Sequence, residues 1–563
     1  MSAAALIIAP VGSRAPWLWL LVSLAALAPP TLPLARGAQP EPVTIADYLR
    51  RETDPDQSLH TLGVARSEYL AAIYAPGGDH PLWTRPSQIR ELIDRLAQAD
   101  ADGLDPADYH LPRLQTFLAR PAPSAAEQAQ LDILLTDALA RYAYHLRFGK
   151  ANPHDIDPNW NYSRALETND PARWLREAIV EDRVGAALDW LRPQTPMYAA
   201  LRSALRRYRE IVAAGGWRAV PTGPTVKPGA IEQRVSVLRA RLARGAIGEH
   251  EPELAAAPDP NMFGPHLERA VREFQARHGL TVDGFVGTRT LAALNVTAEH
   301  RVQQLRINLE RIRWVFRDIE DELLVVNIAA FHAAYIRRGE ILWRARAVVG
   351  RPYRQTPIFK AGMTHIIANP TWTIPPTILR EDILPAMAKD PAYLGRKHLR
   401  IYDRGGAEVA AESIDWTRTR SGGFPYVLRQ GPGPGNALGR IKFMFPNPHF
   451  VYLHDTPSRA LFERAERTFS SGCIRVERPF ELASLLLDSD PDWVPAKVLE
   501  SGRTRRFNLD HDVTVMLLYL TAFADENGEV LFRRDIYDRD PAVMRALSGP
   551  FRFAPPRGYQ GKN

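Results

Sequence analysis

The sequence of 563 residues contains a single cysteine and has a formal net charge of +7, which results from 71 basic and 64 acidic side chains. This length favours about three or four domains, each able to form a hydrophobic core. One cysteine excludes an intramolecular disulfide and a cysteine-rich zinc site. The positive charge suits contact with an anionic polymer or a membrane surface, but it is too evenly spread to indicate nucleic-acid binding.

The N-terminus contains an apolar run over residues 17–28, which follows Arg14 and is ended by Pro29. The run is shorter than the roughly 20 residues of a membrane-spanning helix and is typical of the core of a signal peptide. We therefore predict an exported protein with a signal peptide or an N-terminal anchor over residues 1–38. Because exported proteins usually pair their cysteines or lack them, the lone Cys473 is a candidate reactive thiol.

A helical scaffold domain is predicted over residues 42–228. Leu131, Leu134 and Ala138 recur at helical spacing within it, and no group of polar residues has the spacing of a catalytic site. Its charged residues are therefore interpreted as solvated helix faces. Glycine and proline residues over 215–228 predict a linker at its end.

A small three-helix domain is predicted over residues 229–298. Leu267, Val271 and Phe274 form one apolar helix face, and Asp283-Gly284 predicts a tight turn after it. The run A-V-R-E-F-Q-A-R-H-G-L-T-V-D-G-F-V-G-T-R-T-L-A-A-L-N resembles the peptidoglycan-binding domain of cell-wall enzymes. The resemblance implies peptidoglycan as a ligand, while the residues alone also fit a packing module without a ligand.

Short β-rich runs dominate the next part of the sequence. Residues 323–328 and 345–350 are two of them, separated by polar turns. Many short strands in one domain predict a sandwich-like fold or a strongly curved sheet over residues 305–545, followed by a tail over 546–563. A helix-like stretch with glycine and proline turns at about 375–432 is interpreted as an inserted capping segment. The predicted fold class is therefore multi-domain α+β.

The single cysteine lies in a small polar loop, Ser470-Ser471-Gly472-Cys473, and His454 ends a short strand-like run upstream. A thiol must lose its proton before it attacks an acyl carbon, and an imidazole is a suitable base. Gly472 allows the backbone to turn so that amide N–H groups beside the thiol face a developing oxyanion. Arg475 would favour the thiolate or hold the loop. The alternative interpretation is a small buried cysteine without chemistry.

The pattern H-x(15)-S-S-G-C-I-R resembles the signature of the L,D-transpeptidases, the YkuD-type family that cross-links peptidoglycan. Most members have a second histidine where this sequence has Ser471, and a subset of large multi-domain members has the same Ser-Ser-Gly-Cys variant. The resemblance implies that Cys473 is the nucleophile and His454 the general base, with Gly472 and Ser471 in the oxyanion loop.

The same resemblance implies a two-step acyl transfer in the periplasm. The thiol attacks the carbonyl of the third residue of a donor tetrapeptide stem, a diamino acid, and D-alanine leaves. A side-chain amine of an acceptor stem then resolves the thioester, which cross-links the third residues and contributes to cell-wall biogenesis and cell shape. Trp372, Tyr452 and Arg475 bind substrate or support the loop in this interpretation, with no cofactor and no metal. An uncleaved N-terminus would anchor the chain to the inner membrane.

Several alternatives stay open at this point. Transfer to water would make the protein an L,D-carboxypeptidase, transfer to a protein amine would attach that protein to peptidoglycan, and a decayed site would leave a non-catalytic peptidoglycan-binding protein. A cysteine peptidase or amidase is disfavoured because its cell-wall versions place cysteine before histidine. Metalloprotease and serine-hydrolase motifs are missing from the sequence. Without a second histidine, either the backbone carbonyl after His454 or the side chain of Asp455 would orient the imidazole.

Overall fold

The computed structural model describes residues 44–50, 63–64, 68–77, 80–121, 123–162, 170–245, 254, 259–317, 319–390, 392–414 and 424–551. The predicted signal peptide or anchor lies outside the described residues, as does most of the predicted tail. Among the described residues, no helix combines the length and the apolarity needed to cross a membrane.

The first part of the described chain is helical, as predicted. Its helices are α1 (Ile45–Arg50), α2 (Glu68–Tyr74), α3 (Pro86–Ala97), α4 (Leu111–Leu118), α5 (Ala125–Phe148), α6 (Pro153–Ile156), α7 (Pro171–Val180), α8 (Val184–Leu191) and α9 (Pro196–Ala213). Helix α5 begins with a capping box in which Ser124 and Glu127 satisfy each other's backbone N–H groups. Its Leu134, Leu135 and Leu139 are almost completely buried, so the helical spacing seen in the sequence marks a core.

Three further helices, α10 (Gln233–Gly245), α11 (Pro265–Arg277) and α12 (Thr288–Leu294), form a small separate core. The core contains Leu238, Val271 and Phe274, of which the last two were predicted to share a face. Gln275 is completely buried and accepts hydrogen bonds from the backbone N–H groups of Asp283 and Gly284. These bonds hold the Asp-Gly turn against α11.

Helix α13 (Ala298–Val315) connects this module to the rest of the chain. It runs across residue 305, the predicted start of the catalytic domain. The charged side chains Arg301, Glu310 and Arg313 are all buried. Because charged residues occupy buried positions, the apolar spacing by which a helix is recognised in a sequence is interrupted here. The helix packs against α9 and against the hairpin of strands β14 (Ala522–Ala524) and β15 (Val530–Phe532).

A curved sheet forms the centre of the last part of the chain. Its strands are β1 (Glu322–Asn327), β2 (His332–Arg337), β3 (Glu340–Gly350), β4 (Phe359–Ala368), β9 (Ile441–Met444), β10 (Leu453–His454), β11 (Thr468–Ser470), β12 (Ile474–Val476) and β13 (Arg505–Leu518). They pair in the order β11-β3-β12-β10-β9-β4-β13-β1-β2, and β2 pairs again with β3. Within the described chain, the strands from β3 round to β2 therefore form a closed ring around a large apolar core. The predicted β-rich domain is confirmed. Of the two expected forms, a sandwich-like fold and a strongly curved sheet, it has the second.

Helices α17 (Pro479–Leu486), α18 (Pro495–Glu500) and α19 (Asp540–Ser548) contribute apolar side chains to the core of this sheet. They contribute Leu482, Val498 and Leu547 to it. The predicted α+β class of the multi-domain chain is confirmed by this combination of a helical part, a small module and a β-rich part.

The segment between β4 and β9 has a core of its own. It contains helices α14 (Pro376–Ile378), α15 (Leu384–Lys389) and α16 (Tyr393–Arg396), with a π-helix (Leu379–Ile383) between α14 and α15, and strands β5 (Trp372–Thr373), β6 (Leu399–Tyr402), β7 (Glu408–Val409) and β8 (Val427–Gln430). The strands form a separate small sheet in the order β5-β8-β6-β7. Ile374, Ile401 and Leu428 are buried within this segment. The insertion is therefore a small folded layer rather than a long loop.

Candidate active site

Three neighbouring strands present the candidate site on one face of the sheet. Strand β10 pairs with β12 so that His454 lies opposite Arg475, and it pairs with β9 so that His454 also lies opposite Lys442. Side chains alternate between the two faces of a strand. The intervening residues Ile441, Phe443, Leu453, Ile474 and Val476 all belong to the apolar core. Lys442, Tyr452, His454, Cys473 and Arg475 therefore share the opposite face.

His454 is almost completely buried and is held by backbone carbonyl groups. Its Nδ1 lies 2.5 Å from the carbonyl oxygen of Asp455, and the carbonyl of Leu438 also faces the ring. Since Nδ1 donates its proton to the first carbonyl, Nε2 is the atom left to accept one. Burial, together with the charges of Arg475 and Lys442, lowers the pKa of His454 to about 3. The imidazole is therefore neutral at neutral pH and able to act as a base.

The Asp455 side chain has a different task. One carboxylate oxygen accepts a hydrogen bond from the backbone N–H of Arg440, and the other lies 3.0 Å from Arg459. The first of these oxygens comes so close to Gly439, which has φ +63°, that a Cβ there would collide with it. Of the two groups considered for orienting His454, the structure uses the backbone carbonyl.

Cys473 is half-buried directly before β12, and Ile474 donates its N–H to the carbonyl of Tyr452. The Cys473 Sγ lies 3.7 Å from the carbonyl oxygen of Phe450. Burial raises the pKa of the Cys473 thiol, while the Tyr452 hydroxyl and the charges of Lys442 and Arg475 act in the opposite direction. At neutral pH the resting site therefore contains a protonated thiol and a neutral imidazole on the same face of the sheet.

The loop before Cys473 is fixed by hydrogen bonds. Gly472 has φ +114°, a conformation that other residues rarely adopt, and its N–H donates to Ser470 Oγ. Ser470 Oγ in turn donates to the carbonyl of Cys473 at 2.5 Å, and Thr356 donates to the carbonyl of Gly472 at 2.8 Å. Because the Gly472 N–H is engaged, the N–H of Cys473 is the better oxyanion donor in this loop.

Ser471 connects the loop to the insertion. Its hydroxyl accepts a hydrogen bond of 3.0 Å from Arg354, which also pairs with Glu381 and Asp382 of the π-helix. Ser471 itself is exposed, and its hydroxyl is hydrogen-bonded to Arg354 rather than to His454. Ser471, which stands where the resemblance implies a second histidine in most other sequences, thus takes part in a link between two segments.

Trp372, Tyr452 and Arg475 all lie near the candidate nucleophile. The Tyr452 ring packs edge-on against His454 at 5.7 Å, and its hydroxyl interacts with Cys473 and with the Trp372 side chain. Arg475 is mostly buried, and its Nε has no hydrogen-bond partner among the described residues. Burial lowers its pKa, whereas the nearby Cys473 favours its charged form.

Lys442 is the member of this face that sequence reasoning missed. Its Nζ lies 3.7 Å from the centroid of the Tyr452 ring, and its charge acts on both His454 and Cys473. The strand I-K-F-M carries no motif, and only the pairing of β9 with β10 brings it to the site. For metals, no group of three His, Cys, Asp or Glu side chains within the described ranges is arranged to hold an ion.

A second candidate surface lies at the small three-helix module. Asp283, Phe285 and Thr288, from the predicted turn motif, line a cleft of about 740 Å³. Its opposite wall comes from the β-rich part and includes Phe331 and Arg533. The motif that resembles peptidoglycan-binding domains is therefore exposed to a cleft shared with the rest of the chain.

Comparison with protein families identifies three parts of the chain. An L,D-transpeptidase catalytic domain of the YkuD type matches residues 321–498, a scaffold domain matches 68–205, and a "Putative peptidoglycan binding domain" matches 233–294. A Haemophilus influenzae protein named "Putative L,D-transpeptidase" is 38% identical over 535 residues, which cover 92% of this chain and 88% of that protein. The chain therefore belongs to the L,D-transpeptidase family.

Solved structures with some likeness to the chain include two L,D-transpeptidases. The protein from Mycobacterium smegmatis is 13% identical with a TM-score of 0.19, and the match covers 35% of this chain and 58% of that one. The protein from Stackebrandtia nassauensis is 12% identical with a TM-score of 0.22, over 53% of this chain and 96% of that one. Since both scores are low, the family assignment depends on the sequence matches.

Proposed function

We propose that this protein cross-links peptidoglycan stems through a thioester on Cys473. The observation that carries the proposal is that Cys473 and His454 lie on one face of the sheet, where the Tyr452 ring packs against the neutral imidazole and the Tyr452 hydroxyl interacts with the thiol. The family assignment supplies the reaction class, and the peptidoglycan-binding module supports peptidoglycan as the partner. We place the reaction in the periplasm, as an exported location is required for contact with this polymer.

The first step forms the thioester. His454 Nε2 takes the thiol proton as Sγ attacks the carbonyl carbon of the third residue of the donor stem. The N–H of Cys473 stabilises the developing oxyanion. The amide C–N bond then breaks, and the proton returns from His454 to the nitrogen of the departing D-alanine. The amide has become a thioester and a free amine, with no net change in protons.

The second step transfers the acyl group. His454 takes a proton from the incoming side-chain amine of the acceptor stem, and the amine attacks the thioester carbonyl. The C–S bond breaks, Cys473 recovers its proton, and an amide joins the two third residues. The same base serves both steps because it is neutral at the start of each.

The proposal is tested by incubating the protein with purified stem tetrapeptides and analysing both protein and products by mass spectrometry. We expect a thioester on Cys473 and cross-linked dimers. Replacing the nucleophile, Cys473→Ala, should abolish both signals. The change His454→Gln should slow thioester formation at least about a hundredfold, since general bases contribute roughly that much.

A matched control is His511→Gln, which alters an exposed histidine on β13 paired with Glu322. It should form thioester and dimers at the wild-type rate. A thioester without dimers would indicate that the acyl group is transferred to water or to another amine instead of to a second stem. No adduct in the wild-type protein would refute the proposed function.

A further inference from the structure

Lys442 is a partly buried cation whose charge is not balanced by a carboxylate. Its Nζ rests on the Tyr452 ring, and among the described residues it is the Cys473 thiol, and no carboxylate, that favours its charged form. The one acid close in sequence to His454, Asp455, is already engaged by Arg440 and Arg459. A cation–π contact only partly offsets the loss of water around an ammonium group.

Two arginines of the same β-rich part of the chain are balanced by carboxylates. Arg346 pairs with Glu463 and Glu477, and Arg354 pairs with Glu381 and Asp382. Around Cys473, in contrast, Lys442 and the neighbouring Arg475 both lack such a partner within the described part of the chain. The site is therefore electropositive, and it is suited to a ligand that brings its own negative charge.

The position of Lys442 indicates which negatively charged group of the ligand it binds. It lies opposite His454 across the β9–β10 pair, on the face that presents Cys473, and it touches the Tyr452 ring whose hydroxyl interacts with the thiol. In the proposed donor, the C-terminal carboxylate follows the attacked carbonyl directly, across the scissile amide and one Cα. A group that binds this carboxylate must therefore stand beside the nucleophile, as Lys442 does.

We infer that Lys442 binds the C-terminal carboxylate of the donor stem peptide and so selects donors whose leaving residue ends in a free carboxylate. This inference rests on the proposed function and adds a specificity-determining residue to it. The ammonium group forms an ion pair with the carboxylate, and its charge also favours the tetrahedral intermediate. Donors extended or amidated at this end would leave Lys442 without a partner.

The test measures binding rather than turnover, so that it does not depend on the reaction. Two synthetic stem tetrapeptides, one ending in D-alanine and one in D-alanine carboxamide, are titrated into Cys473→Ala protein by calorimetry. We expect the free acid to bind about tenfold more tightly, as a hydrogen bond to a charged group commonly provides. Adding Lys442→Met should remove this preference and leave the affinity for the amide unchanged, which also shows that the variant is folded.

Two further variants complete the experiment. Lys442→Arg keeps the charge and should retain a preference for the free acid, and Lys497→Met, which alters an exposed lysine on α18, should bind both peptides as the parent does. Equal affinities in the parent, no binding of either peptide, or a preference that survives Lys442→Met would overturn the inference. If the preference depends on Lys442 but wild-type protein forms no thioester, the carboxylate site stands and the proposed function fails.

Discussion

At the scale of single residues, the site combines a neutral imidazole with a protonated thiol. Burial lowers the pKa of His454 to about 3 and raises the pKa of Cys473, because both charged forms lose water. An ion pair between the two is therefore disfavoured before substrate binds. The proton moves during attack, when the carbonyl carbon accepts the electron pair of sulfur. This resting state protects the single thiol from adventitious reactions.

The raised pKa of Cys473 predicts the pH dependence of its alkylation. A higher pKa means less thiolate at neutral pH, so the rate of reaction with iodoacetamide should still be rising at about pH 9, above the ordinary thiol value. Lys442→Met removes a charge that favours thiolate and should lower the rate at neutral pH further. The rate is followed by mass spectrometry over the pH range, and a plateau reached below about pH 8 would contradict the prediction.

The control for alkylation is the same chain unfolded in urea. There the only cysteine should titrate near its ordinary pKa of about 8.5. The difference between the folded and unfolded profiles then measures how far the folded site raises the pKa of the Cys473 thiol.

At the scale of structural elements, the catalytic loop is held from two sides. Thr356, after β3, fixes the carbonyl of Gly472, while Arg354 connects the exposed Ser471 to the π-helix of the insertion. The loop conformation and the position of the insertion are therefore coupled through one guanidinium group. This coupling connects the inserted layer to the loop that precedes the nucleophile.

Replacing Arg354 tests this connection. We expect Arg354→Met to lower kcat/KM for thioester formation about tenfold, because hydrogen bonds to a charged group are lost and the loop is no longer held. The thermal unfolding midpoint should change little, since the carboxylates of Glu381 and Asp382 are exposed to water and stay solvated without their partner. Arg380→Met is the matched control, because Arg380 also pairs with Glu381 but is far more exposed. Equal rates for Arg354→Met and wild-type protein would show that the link has no role.

At the scale of the whole molecule, local patterns predicted the elements and the class of each part. The spacing of Leu134 and its neighbours predicted buried helices, and the Ser-Gly-Cys loop with His454 identified the residues now found on one face. Two features could not be predicted in this way. The closure of the sheet into a ring depends on the pairings β1–β13 and β3–β12, which join strands far apart in the sequence and leave no local signal. The position of Lys442 opposite His454 depends on the register between the consecutive strands β9 and β10, and the sequence of β9 carries no motif that fixes this register.

Helix α13 was also difficult to recognise, because its buried charges interrupt the apolar pattern. Arg313 and Glu310 are completely buried and pair at 2.5 Å. Arg313 also donates to the Tyr198 hydroxyl and to the carbonyl of Asp102, and Glu310 accepts the N–H of Ala151. The pair thus connects α13 to the helical part of the chain. From the sequence alone, without knowledge of these partners, both charged residues would be assigned to the surface.

The Arg313–Glu310 pair should dominate the stability of this junction. Arg313→Met leaves Glu310 buried without its cation, and breaking a buried pair in this way costs about 3–5 kcal/mol. The double change Arg313→Met with Glu310→Leu removes both charges and should recover much of that loss. Urea unfolding followed by tryptophan fluorescence measures the change. The exposed pair Arg173–Glu177 on α7 provides the control, and Arg173→Met should leave the unfolding midpoint unchanged. A similar midpoint for Arg313→Met and Arg173→Met would mean that apolar packing alone holds α13 against the helical part.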